Sequence, residues 1–134
     1  MIIVSACLAG VNCNYKGRHS EEPSVVQLVR EGRAIMVCPE QLGGITTPRP
    51  PAETKNGRVY TKNGVDVTEE FLRGAHEVLN ICKKYNCQKA ILKSRSPSCG
   101  YGKIHGGNFD GSLADGNGIT AGLLSGQGIE VTVL

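Results

Sequence analysis

Three short apolar runs punctuate the chain: Ile2-Ile3-Val4-Ser5-Ala6, Ala34-Ile35-Met36-Val37 and Lys89-Ala90-Ile91-Leu92-Lys93-Ser94. Their length and β-branching predict buried strands. A fourth segment differs, because Ile129, Val131 and Val133 alternate with Glu130 and Thr132. That period of two predicts a half-exposed edge strand. Helical spacing fills the intervals. Ser20 is placed to cap a helix opened by Glu21, Glu22 and Pro23, with Val25, Leu28 and Val29 as its apolar face and Gly32 as its stop. Thr68 is placed to cap a longer helix. Phe71, Ala75, Val78, Cys82 and Tyr85 form its stripe, Val67 and Leu72 are a candidate staple, and Asn86 is a plausible residue just past its end. Residues 119–125 suggest a short third helix. Val59 to Val67, with Asn63-Gly64 between β-prone residues, predicts a hairpin. Residues 7–19 and 43–51 have loop chemistry, and residues 100–118 hold seven glycines and no convincing element. A loop of that length inside a compact domain suggests function, such as closing over a ligand.

The order β-α-β-(hairpin)-α-β-α-β predicts an α/β protein with right-handed crossovers. The expected fold is Rossmann- or flavodoxin-like, in three layers. It has a mostly parallel four-stranded sheet of order 2-1-3-4 and a small β-hairpin. With 134 residues, a single domain spanning 1–134 is expected. The net charge is +3 and only six residues are aromatic, none of them Trp, which argues against a nucleic-acid surface and for a small ligand. No apolar run reaches the ~18 residues of a membrane span. The first residues read as a strand rather than a signal peptide, so a cytoplasmic protein is expected.

Six cysteines, at 7, 13, 38, 82, 87 and 99, are the anomaly. In open parallel sheets ligands bind beyond the carboxyl ends of the strands. Cys7, Cys38 and Cys99 each follow one of the three buried strands. In the order 2-1-3 those strands are neighbours ~4.8 Å apart, so the three thiols converge on one rim. A structural zinc normally takes four ligands in tight pairs, a spacing absent here. A disulfide would use two thiols. An iron–sulfur cluster with three protein thiolates would leave one iron open and is favoured if the geometry holds. A non-catalytic zinc or nucleotide-binding module is the rival, although neither a Walker motif nor G-x-G-x-x-G follows the first strand.

Four motifs then carry a resemblance. Cys7-Leu8-Ala9-Gly10-x-x-Cys13-x-Tyr15-x-Gly17, Cys38-Pro39-Glu40, Pro48-Arg49-Pro50-Pro51-Ala52-Glu53 and Ser96-Pro97-Ser98-Cys99-Gly100 are similar to the signatures of the thiouracil desulfurase family. The resemblance covers essentially the whole chain, including Gly118 to Leu124. It implies a 4Fe–4S cluster held by Cys7, Cys38 and Cys99, with the fourth iron open to the sulfur of a thiolated pyrimidine. It also implies Glu40 as the catalytic acidic residue and a catalytic serine in the Ser96-Pro97-Ser98 stretch, placed at Ser98 with Ser96 as the alternative. The implied reaction is hydrolytic, releasing sulfide from a 2-thiouracil-like base or nucleotide. Cluster-dependent sulfur transfer related to RNA thiolation is an alternative.

Other residues have blander readings. Cys82 and Cys87 fit core packing. Cys13 fits a loop thiol near the site, close enough to Cys7 for a disulfide in an oxidised, cluster-free protein. Arg49 suits either substrate contact or solvation. His19 and His105 border the expected cleft, His76 lies on a helix, and Tyr15 is placed to stack on a ring or cover its loop.

Overall fold

The computed structural model describes all residues from Met1 to Leu134. Four strands form its sheet: β1 (Ile2–Ser5), β2 (Ala34–Val37), β5 (Lys89–Leu92) and β8 (Glu130–Val133). Their order is β2-β1-β5-β8 and every pairing is parallel. With the remaining strands in the small antiparallel sheets, this is the expected α/β topology. The other elements are α1 (Pro23–Arg30), α2 (Pro39–Leu42), β3 (Ala52–Lys55), β4 (Arg58–Thr61), α3 (Thr68–Lys84), β6 (Lys103–His105), β7 (Leu113–Asp115) and α4 (Ile119–Gly126).

Alternation along β1 divides the core. Ile3 joins Val78, Leu79, Ala121 and Leu124 under α3 and α4. Its neighbour Val4 faces the other way, onto Leu8 and Val25 of the α1 layer. Both are fully buried, as period-two side chains of a central strand must be when helices cover both faces. Cys82 and Cys87 sit in the first of these cores, as their spacing implied.

Several boundaries differ from the sequence reading, each for a local reason. Residues 6–9 form a 3-10 helix rather than open loop. Ser20 does not cap α1: its N–H donates to the Cys7 carbonyl, and Glu22 occupies the cap position. Thr68 does not cap α3, since its Oγ1 accepts the Val59 N–H at 2.8 Å while Asp66 accepts the Thr68 N–H. Leu72 and Tyr85 are exposed, so neither belongs to the buried face. The expected hairpin is present, with Tyr60 bridged antiparallel to Asp66 and the Thr61 and Val67 N–H groups donating to the Val65 and Val59 carbonyls, and a longer one precedes it. Its two-residue turn is Asn56-Gly57, both with positive φ, and it joins β3 to β4; Asn63-Gly64 forms a second turn beyond β4. Within the glycine-rich stretch β6 and β7 pair as a second small antiparallel sheet.

Residues 39–42 form the single turn α2, and this turn is seated on α3 by glycines. A Cβ on Gly74 would stand 1.9 Å from the Pro39 carbonyl oxygen, and one on Gly43 would stand 2.0 Å from the Glu70 carbonyl. Glycine inside a helix is otherwise costly. Here it buys a backbone-to-backbone approach that fixes the segment after Cys38. Gly74→Ala is therefore expected to lose about 1–3 kcal/mol of stability in denaturant unfolding despite the better helix propensity of alanine. Gly126→Ala, with open space around it, is expected to be neutral or stabilising; equal effects at both positions would contradict this account of the crossing.

Candidate active site

Beyond the carboxyl ends of β1, β2 and β5 lies a cavity of about 430 Å³. Cys7, Cys38, Cys99, Glu40 and Ser98 all line it, so the structure brings the predicted residues together. Each arrives by a different device. Cys7 sits on the 3-10 helix that continues β1, and Cys38 is the cap residue of α2. Ser98 and Cys99 occupy a turn clamped by α4, whose Thr120 and Ala121 N–H groups both donate to the Ser98 carbonyl. Gly118 makes this clamp possible, because a Cβ there would stand 2.5 Å from the Ser98 carbonyl carbon.

All six cysteines are free. Cys13 is more central than its sequence position suggested. It is buried, lines the same cavity, and its thiol stands beside those of both Cys7 and Cys38. Its single proton is available to whichever of the two neighbours is ionised. Donation from Cys13 lowers the Cys7 pKa and brings Cys38 down to about 6, helped at Cys38 by the Gln41 N–H and the Arg49 charge. The same contacts push the Cys13 pKa up. As a thiol Cys38 reaches the Cys13 carbonyl at 3.7 Å; once ionised it accepts instead. Cys99 is different. Burial raises it to about 12, against a hydrogen bond from Ser5 at 3.3 Å, with Ser98 Oγ standing 3.6 Å away.

Beside the thiols runs a hydrogen-bonded line of polar groups. Ser96 Oγ accepts the backbone N–H groups of Ser98 and Cys99, leaving its own proton to donate to Ser98 Oγ at 3.0 Å. Ser98 then donates to Glu40 Oε2 at 3.0 Å. The other carboxylate oxygen accepts Arg49 Nε–H at 2.9 Å. This ordering of protons distinguishes the two serines, since only Ser98 meets the carboxylate. Arg49 is not a solvated side chain. Its side chain is 5% exposed, and it also donates to the Cys13 carbonyl at 2.8 Å and to Thr47 Oγ1 at 2.8 Å. One guanidinium therefore ties α2, the first loop and the proline loop together. Nothing in the Pro48-Arg49-Pro50-Pro51 sequence names Glu40 as the partner.

Tyr15, Ser20, Lys62, Lys93, Arg95 and His105 also line the cavity, whereas His19 and His76 are exposed elsewhere. His19 Nδ1 accepts the Glu21 N–H; His105 Nδ1 is buried without a partner. No helix of the structure is long and apolar enough to cross a membrane.

An open parallel sheet with a thiol-lined, carboxylate-bearing cleft beyond its strand ends defines an α/β enzyme of the strand-end type. The family model for 2-thiouracil desulfurase matches residues 2–134, and the chain belongs to that family. It is 43% identical to the uncharacterized protein YbbK of Bacillus subtilis strain 168, over 98% of this chain and 93% of that one. A solved structure of the [4Fe-4S]-dependent thiouracil desulfidase TudS superposes with a TM-score of 0.94. The two chains are 46% identical, over 98% of this chain and 89% of that one.

The thiol environments differ enough to be read by labelling. In cluster-free, reduced protein, iodoacetamide is expected to modify Cys38 with a half-maximal rate near pH 6 and to leave Cys99 unmodified up to pH 9, as mass spectrometry of peptides would show. Faster labelling of Cys99 than of Cys38 would contradict the arrangement.

Proposed function

We infer that this protein is a 4Fe–4S-dependent desulfurase that hydrolyses the C=S bond of thiouracil. Water supplies the oxygen, sulfide leaves, and no electrons are exchanged. The observation that carries the reading is the Arg49–Glu40–Ser98 line standing in one cavity with three strand-end thiols.

The donor set fits the cofactor. Cys7, Cys38 and Cys99 reach one cavity from three strand ends, without the tight ligand pairs of a structural zinc site. A larger cage bridges a wider thiol set, and thiolates are what iron–sulfur clusters require. Cys7, Cys38 and Cys99 are proposed as its ligands, and the surroundings of Cys7 and Cys38 lower their thiol pKa values. When bound, the cluster supplies a soft Lewis-acid iron suited to a thiocarbonyl sulfur.

The chain's own residues provide the proton chemistry. Glu40 acts as general base toward the attacking water and returns that proton to the departing sulfur. Its oxygens, held by Arg49 and Ser98, each keep a lone pair free for that water. Arg49 keeps the carboxylate aimed, and Ser98 fixes the second oxygen. Lys62, Lys93 and Arg95 line the cavity without a carboxylate partner, which suits the phosphate of a thiolated nucleotide as well as the free base. Residues 1–134 act as one catalytic domain in this account, in the reducing cytoplasm that preserves an oxygen-sensitive cluster.

Anaerobically prepared protein is expected to release sulfide from 2-thiouracil. Glu40→Gln should lower kcat by roughly 10²–10⁴-fold, the range general acid–base groups contribute. Ser98→Ala should lower it less, and both should keep the parent's visible absorption. Full activity of Glu40→Gln, or sulfide release by colourless protein, would overturn the assignment.

A further inference from the structure

Phe109 combines three features that the chemistry above leaves unused. Its backbone is in the left-handed region, with φ of 53°, which a bulky side chain rarely adopts. It lines the active-site cavity, which holds one other six-membered aromatic ring, Tyr15, and the His105 imidazole. It sits in a glycine-rich loop that would otherwise be free to vary, yet the loop is pinned. Glu53, 8% exposed, turns one carboxylate oxygen toward that loop and accepts the N–H groups of Gly107 at 2.9 Å and Phe109 at 3.2 Å. Gly107 seats the loop flush on β3, since a Cβ there would stand 2.9 Å from the Thr54 carbonyl oxygen. Ser112 donates its N–H and hydroxyl to Asp110 and tightens the far side of the same turn.

An unfavourable backbone held by a buried carboxylate persists where the surroundings over-determine it, and such residues cluster at ligand sites. The other six-membered ring is less available: Tyr15 is 41% exposed, with the Lys16 ammonium 5.6 Å from its ring centroid. We propose that Phe109 is the specificity residue for the flat face of the pyrimidine ring, and that Glu53 is the positioning residue that holds it there. This rests on the desulfuration reading above and names the recognition element for its substrate. Stacking reads the π-face that every pyrimidine presents, so it binds the ring without touching the C=S bond.

The experiment uses anaerobic holoenzyme, 2-thiouracil as substrate and uracil as ligand. Phe109→Ala should raise KM roughly 5- to 100-fold, as loss of a base–aromatic stack does, with kcat within about threefold of the parent. Glu53→Ala should raise KM alike, and the double variant no further. Glu53→Gln, whose amide oxygen accepts the same two N–H groups, should restore parental KM. The chain contains no Trp, so Phe109→Trp supplies its only tryptophan, whose emission is separable from that of the four tyrosines, and uracil should quench it saturably. Loss of kcat at unchanged KM, additive effects in the double variant, or fluorescence indifferent to uracil would overturn the proposal. An inactive parent would overturn desulfuration itself, and the uracil titration of Phe109→Trp still decides the stacking role separately.

Discussion

Everything at the site depends on the parallel pairing of β1 with β2 on one side and β5 on the other. The register sets Ile3 beside Ile35 and Ala90, and Val4 beside Met36 and Ile91, so all three strands end at one level. Chains leaving parallel strands at one level must turn over the same edge. The turn that follows each strand then carries a thiol: Cys7 in the 3-10 helix, Cys38 at the start of α2 and Cys99 in the clamped loop. Burial of β1 on both faces makes a register slip prohibitive, because it would carry Ile3 and Val4 each to the wrong layer.

Polar organisation is layered on that frame. A buried ion pair of the kind formed by Arg49 and Glu40 is weak as a source of stability, because desolvation offsets the attraction. Its value here is geometric. The guanidinium holds a carboxylate, a backbone carbonyl and a hydroxyl at once, and the second carboxylate oxygen is held by Ser98. The Glu40 carboxylate is thus fixed from both sides by segments that are far apart in sequence. Gly43 and Gly74 do comparable work from below, since the backbone contact they permit sets the position of α2 and hence of both Cys38 and Glu40.

The sheet order and the convergence of Cys7, Cys38 and Cys99 were legible because they follow from strand periodicity and a general rule of parallel sheets. The roles of Glu40 and Ser98 came from motif resemblance alone; their hydrogen bond, across 58 positions, has no local signature. The turn at Asn63-Gly64 was legible from its residue pair, whereas Asn56-Gly57, an equally good turn pair, closes the longer β3–β4 ladder, which only pairing across the strands reveals. Cys13 and Arg49 were under-read for the same reason. Their importance lies in contacts made across loops, where neither period nor composition leaves a trace. Thr68 and Ser20 were over-read, because a residue type suited to capping was recruited by a neighbouring strand or loop instead.

The central claim is that the thiols at the three strand ends hold one inorganic group. Iron and acid-labile sulfide counted per chain after anaerobic reconstitution test it most directly, in Cys7→Ala, Cys38→Ala, Cys99→Ala, Cys13→Ala and Cys82→Ala. The account predicts about four of each per chain in the parent and in the variants at 13 and 82, and a large loss in the other three. Undiminished iron in any of those three, or a loss confined to Cys13→Ala, would contradict it.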